Sequence, residues 1–202
     1  MLDLRGRSCL VVGGGPVAAR KANGLVECGA VVTVVAPHVC ADLTRLTAVT
    51  IERRPYAAGE AGDYRLVVTA TGIPAVDGAV YADADAAGVW VNSADDGAHS
   101  TFILPSVHRE GTVSVAVSSG GTSPALASWL RHRLAESAGP GLGDLAELLG
   151  QARRSLHDAG KSTEDVDWAS LLDGPLPALV RDGQHAQARA LIEAATGVVL
   201  RA

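Results

Sequence analysis

Aromatic side chains are scarce: Phe, Trp and Tyr make up 3% of the 202 residues, with one Phe and one Met in the whole chain. A core of stacked rings is therefore excluded. The interior must be built from Ala, Val and Leu, as in a tightly packed parallel sheet covered by helices. Cysteine is nearly absent. Cys9, Cys28 and Cys40 are odd in number and lack C-x-x-C spacing, which argues against a disulfide framework and against a thiolate zinc site, and suits a reducing compartment. No apolar run reaches the ~18 residues of a membrane helix, and the start Met-Leu-Asp-Leu-Arg carries an acid and no apolar leader segment. The expectation is a soluble, cytoplasmic protein with no membrane partner. An excess of positive charge is also missing. The formal charge of −5 excludes the phosphate-neutralising surface of a non-specific nucleic-acid binder.

What is present is apolar and rhythmic. With 48% hydrophobic and 19% charged residues, the chain has material for one ordinary domain and a smaller appendage. Strands are expected at 8–12, 31–36, 49–53, 66–70, 90–92, 102–104 and 113–117, with helices at 16–28, 41–46 and 74–87. The alternation of β and α over the first ~115 residues predicts an α/β fold, a Rossmann-like doubly wound parallel sheet. Ser123 reads as the cap and Pro124 as the first residue of a further helix. In that helix Leu126, Trp129, Leu130 and Leu134 recur at helical spacing. Gly139-Pro140-Gly141 ends it, and the remainder to 202 reads as helices with apolar repeats.

The first strand-to-helix junction carries the strongest chemical signal. Leu10-Val11-Val12 runs into Gly13-Gly14-Gly15-Pro16-Val17-Ala18, where Gly13, Gly15 and Ala18 fit the G-x-G-x-x-G/A spacing. That spacing gives a tight turn, close backbone approach to a pyrophosphate at a helix N-terminus, and close helix–strand packing. A nicotinamide dinucleotide bound there would point to hydride transfer. The second strand ends Val35-Ala36-Pro37-His38, without the acid that normally holds the adenosine ribose. Backbone and the loop at Pro37 and His38 could grip the cofactor instead; a different nucleotide, or a purely structural turn, remain the alternatives. Thr69, Ala70 and Thr71 close the fourth strand at the edge where such sheets bind ligands.

Two further segments carry chemistry. Asn92-Ser93-Ala94-Asp95-Asp96 places two acids where a strand leaves the sheet. Extended residues alternate in direction, so one of the pair faces a pocket and could act as a base; the plainer reading is a solvated turn. Ser118-Ser119-Gly120-Gly121-Thr122-Ser123 could cradle an anion with N–H donors at a helix start, or be a linker with a good cap; it lacks the lysine of a phosphate-binding P-loop. Arg109, Arg131 and Arg133 are cations for a polycarboxylate, or a solvated surface. His99 and His108 read as solvated or structural, and no paired-histidine or H-E-x-x-H pattern indicates a fixed metal site.

Cys9–Ala22 (CLVVGGGPVAARKA), Val91–Pro105 (VNSADDGAHSTFILP) and Val115–Ala127 (VAVSSGGTSPALA), in this order, resemble the precorrin-2 dehydrogenase/sirohydrochlorin ferrochelatase family, the N-terminal module of siroheme synthase. The likeness covers about residues 1–135, with Trp168 the one later landmark. It implies a homodimer with an NAD-binding Rossmann-like domain at 1–113, a dimerisation region at 114–145 and a small helical domain at 146–202. It implies NAD-dependent oxidation of precorrin-2, a tetrapyrrole, to sirohydrochlorin, and in many members insertion of Fe2+. Asp95 matches the family's catalytic aspartate; Pro16, Val17, Pro37 and His38 match cofactor contacts; Ser119 matches a serine of the active-site loop. One departure stands out: relatives carry acids after the fourth strand's threonine, where this chain has Gly72 and Ile73. A chelatase without the redox step, or a non-catalytic NAD-binding module, are the rival readings. The length leaves no room for the methyltransferase half of trifunctional members, so methylation is expected of a separate protein.

Overall fold

The computed structural model describes residues 2–201. The chain divides between Leu104 and Pro105 into two compact units.

The first unit is a five-stranded, all-parallel sheet. β1 (Ser8–Val12), β2 (Val31–Val35), β3 (Val49–Glu52), β4 (Leu66–Thr69) and β5 (Trp90–Ser93) stand in the order β3-β2-β1-β4-β5. The helices are α1 (Pro16–Glu27), α2 (Ala41–Arg45) and α3 (Pro74–Ala86). β1, β2 and β4 are continuous Val/Leu runs because the central strands of such a sheet are buried on both faces. One face packs Cys9, Val11, Val32, Val34 and Val68 against Ala18, Ala22 and Leu25 of α1. The other packs Leu10, Val12, Val35, Val67 and Val91 against Val80 and Ala84 of α3. Strand order reverses between β1 and β4, and the crevice outside the carboxyl ends at such a reversal is where these sheets take ligands.

The second unit opens with an antiparallel hairpin, β6 (Ser106–Glu110) and β7 (Val113–Val117), registered Ser106↔Val117 through Glu110↔Val113. Helix α4 (Pro124–Ala138) packs on the hairpin. The rest is a small helical bundle, α5 (Leu142–Asp158), α6 (Trp168–Asp173), α7 (Leu176–Arg181) and α8 (His185–Thr196), closed around Leu148, Ala152, Leu176, Val180 and Ile192.

One strand expectation fails here, and another strand pairs differently from the sheet foreseen for it. Residues 102–104 form no strand: Ser100–Phe102 lies along β5 but bonds to it largely through side chains. Thr101 Oγ1 accepts from the Val91 N–H (2.9 Å) and Asn92 Nδ2 donates to the Phe102 carbonyl (3.0 Å). Phe102 turns into the core while Ile103 and Leu104 stay exposed, and Pro105 cannot donate. The strand over 113–117 exists, but it leaves the parallel sheet and pairs with the unforeseen Ser106–Glu110 through a two-residue turn, where Gly111 takes φ +56°.

Burial, more than the neighbouring Cys28 thiol, pushes the Cys9 thiol from 9.0 up to about 11. Unfolding restores the ordinary value, so between about pH 9 and 11 the unfolded chain ionises first and stability falls. The stability gap between wild type and Cys9→Ala should therefore be constant below pH 9 and narrow above it, as read from denaturant midpoints across that range.

Candidate nucleotide and proton-transfer site

The glycine turn is fixed by backbone contact on both sides. Gly13 donates to the Val35 carbonyl (3.0 Å), Ala70 donates to the Val12 carbonyl (2.8 Å), and Cys40 donates to the Gly14 carbonyl (2.8 Å). A Cβ on Gly13, which takes φ +133°, would sit 2.3 Å from the Ala70 carbonyl oxygen; one on Gly14 would sit 1.7 Å from that of His38. The junctions after β1, β2 and β4 thus meet backbone to backbone, and Gly13, Gly14, Ala70 and His38 come together. Gly15 differs: it is the N-cap of α1, offers no side-chain cap, and a Cβ there would meet nothing within 4 Å. Pro16 occupies the first turn, where a missing N–H costs nothing. An unfilled space at an uncapped helix N-terminus is what a pyrophosphate requires, so the cradle fits a dinucleotide.

Asp77 completes the β4 end and was not foreseen. From the first turn of α3 its Oδ1 accepts from Thr69 Oγ1, Thr71 Oγ1 (2.8 Å) and the Thr71 N–H (3.2 Å). It thereby fastens the segment whose Ala70 carbonyl presses on Gly13. Gly72 and Ile73 carry no acid, and the carboxylate beside the β4 end comes from the helix. The signal available was an acid in the first turn of a helix following a Thr-x-Thr strand end.

The Asp95 loop is an excursion closed at its neck. Ser93 donates to Ser100 Oγ (2.9 Å) and Asn92 bonds to Phe102 as above. Asp96 folds the loop: Oδ1 accepts from the Ala98 N–H (2.9 Å), and Oδ2 lies 2.6 Å from His99 Nδ1. The His99 ring, ahead of that N–H, holds the Asp96 carboxyl below the usual carboxylate range. The same ring stands edge-on to Tyr81, centroids 5.0 Å apart. His99 is thus a half-exposed loop strut, and Asp95 is exposed at the tip side of the neck.

The remaining candidates lie in the second unit. Ser118 Oγ accepts from Gly120, Ser119 Oγ from Ser123 (2.9 Å), and Ser123 Oγ caps α4 by accepting from Leu126. Gly120 and Gly121 both take positive φ, and the Thr122 N–H bonds to the Ser119 carbonyl. Arg131 Nε reaches Ser106 Oγ at 3.4 Å. Among the described residues, no group of three or more His, Cys, Asp or Glu side chains is placed to hold a metal ion, and no helix is long and apolar enough to cross a membrane.

Residues 1–106 match a family described as putative NAD(P)-binding, and residues 110–137 match the central region of sirohaem biosynthesis proteins. The siroheme synthase of Chromobacterium violaceum is 41% identical over 201 residues, covering 95% of this chain and 42% of that protein. The chain belongs to that putative NAD(P)-binding family. The siroheme synthase of Tolumonas auensis is 43% identical over 154 residues, 76% of this chain and 33% of its own. The chain spans less than half the length of these two siroheme synthases. Among solved structures it resembles SirC, a precorrin-2 dehydrogenase, at TM-score 0.74 and 27% identity, over 96% of this chain and 98% of that one. The matched NAD(P)-binding region spans the parallel five-stranded sheet.

The two outer glycines should separate by assay. Gly13→Ala costs stability, ~2 kcal/mol or more, because backbone must move and a left-handed residue is strained. Gly15→Ala leaves the melting temperature nearly unchanged but weakens dinucleotide binding about tenfold or more, ~1.4 kcal/mol. Thermal melts and a nucleotide titration read both.

Proposed function

We propose that this chain oxidises precorrin-2 to sirohydrochlorin with NAD+, and that it also inserts Fe2+ into the product. The observation that carries this reading is strand adjacency. β1, β4 and β5 are neighbours, so the glycine turn, Thr69–Thr71 and the Asp95 loop share the carboxyl edge of one sheet. Gly13–Val17, Pro37, His38 and Thr69–Thr71 would hold the dinucleotide. When bound, NAD+ supplies an acceptor for the hydride that leaves the macrocycle. Asp95 is the base: its carboxylate takes the accompanying proton and, being exposed, returns it to water. Fe2+ is a substrate. Its entry displaces two pyrrole protons, which the same carboxylate can take in turn.

Several features support the finer points. Arg54, at the end of β3, is already gripped by Glu52 (2.5 and 2.9 Å) and Glu60 (2.6 and 3.2 Å); it is thus committed elsewhere and does not recruit a ribose phosphate, which favours NAD over NADP. Asp77 brings a carboxylate to the β4 end, where Gly72 and Ile73 carry none. For the substrate's carboxylates, the Ser118–Ser123 loop offers backbone donors and Arg131 a cation. Leu126, Trp129, Leu130 and Leu134 of α4 are all exposed, Trp129 at 59%. An apolar helix face of that kind calls for a partner and supports a homodimer formed through region 114–145, with 1–113 as the cofactor domain and 146–202 as the helical domain.

Asp95→Asn should lower precorrin-2 oxidation by about 100-fold or more while leaving the NAD+ dissociation constant within about twofold; Asp96→Asn should keep most activity. The assay is anaerobic turnover of precorrin-2 with NAD+, run with and without Fe2+. A fully active Asp95→Asn beside an inactive Asp96→Asn would contradict the assignment.

A further inference from the structure

Lys21 stands where a lysine is costly. It lies three residues after Ala18 and four before Leu25, on the stripe of α1 that packs against the sheet. Its ammonium donates to Asn92 Oδ1 at 3.3 Å. Asn92 is 6% exposed and spends its own amide on the Phe102 carbonyl. The chain Lys21–Asn92–Phe102 therefore ties the dinucleotide helix to the neck of the loop that carries Asp95. Burial pushes the ammonium below its ordinary value, Arg20 pushes the same way, and the Asp95 carboxylate pulls it back up. Asp42 and Arg45 of α2, which packs on α1, are paired with each other at 2.9 Å. Asp96 is likewise engaged, with His99.

We infer that Lys21 is a positioning residue for proton transfer: through Asn92 it fixes the neck of the loop that carries Asp95. This rests on Asp95 being the base. The role does not need Lys21 to touch the cofactor.

Lys21→Met removes the donor to Asn92; Lys21→Gln and Lys21→Arg keep one. In Lys21→Met, kcat for precorrin-2 oxidation should fall about tenfold while KM and NAD+ affinity stay within about twofold. Lys21→Gln and Lys21→Arg should recover most of kcat. A wild-type kcat in folded Lys21→Met, or an equal loss in all three folded variants, would overturn the inference. Asp95→Asn run in parallel separates the two claims. If it is inactive while Lys21→Met is normal, only the role of Lys21 fails; if it is fully active, the base assignment fails with it.

Discussion

Everything at the carboxyl edge of the sheet depends on two backbone contacts that leave no room for a Cβ: Gly13 against the Ala70 carbonyl and Gly14 against that of His38. These contacts draw the ends of β1, β2 and β4 to one point, and they leave Gly15 facing open space at the start of α1. The cradle is therefore shaped by main chain rather than by side chains that could rotate away. A backbone cradle also explains why the second strand can end in Pro37 and His38 without an acid. In the proposed reading, helix N-terminus and turn would anchor the dinucleotide, and the loop at Pro37 and His38 would meet the ribose.

Side chains then brace that cradle from both flanks. Asp77 reaches back from α3 to gather Thr69 and Thr71, and Lys21 reaches up from α1 to Asn92. One fixes the strand end that presses on the glycine turn; the other fixes the neck of the loop that presents Asp95. Within that loop the adjacent acids differ: Asp96 is engaged in folding the loop with Ala98 and His99, whereas Asp95 stays exposed.

Much of this was legible in the sequence for identifiable reasons. β1, β2 and β4 are dominated by Val and Leu, and the glycine spacing marks one strand-to-helix junction. The failures share a cause. Residues 102–104 look like a strand because Phe102-Ile103-Leu104 is apolar, yet only Phe102 is taken into the core, and Pro105 forbids the ladder. Ser106–Glu110 looks like loop because its strand has a polar face, and only pairing with β7 makes it a strand. Lys21 and Asp77 were invisible as bracing residues for a different reason. Their partners lie 71 and 6–8 residues away in sequence, and nothing in local periodicity reports which side chain a helix turns toward a strand end. The apolar stripe of α4 was evident from its spacing, but spacing cannot tell a face that packs within the chain from one left exposed.

The central claim is that one sheet edge joins a nicotinamide dinucleotide to a proton-accepting carboxylate for oxidation of a tetrapyrrole. The most direct measurement is the stoichiometry of a single anaerobic turnover, with enzyme in excess over precorrin-2 and NAD+ present. Reduced nicotinamide and sirohydrochlorin are followed together by absorbance. The account predicts equal molar yields of the two, rising at one rate. Formation of sirohydrochlorin without matching cofactor reduction, or no oxidation by a protein that binds NAD+ tightly, would contradict it.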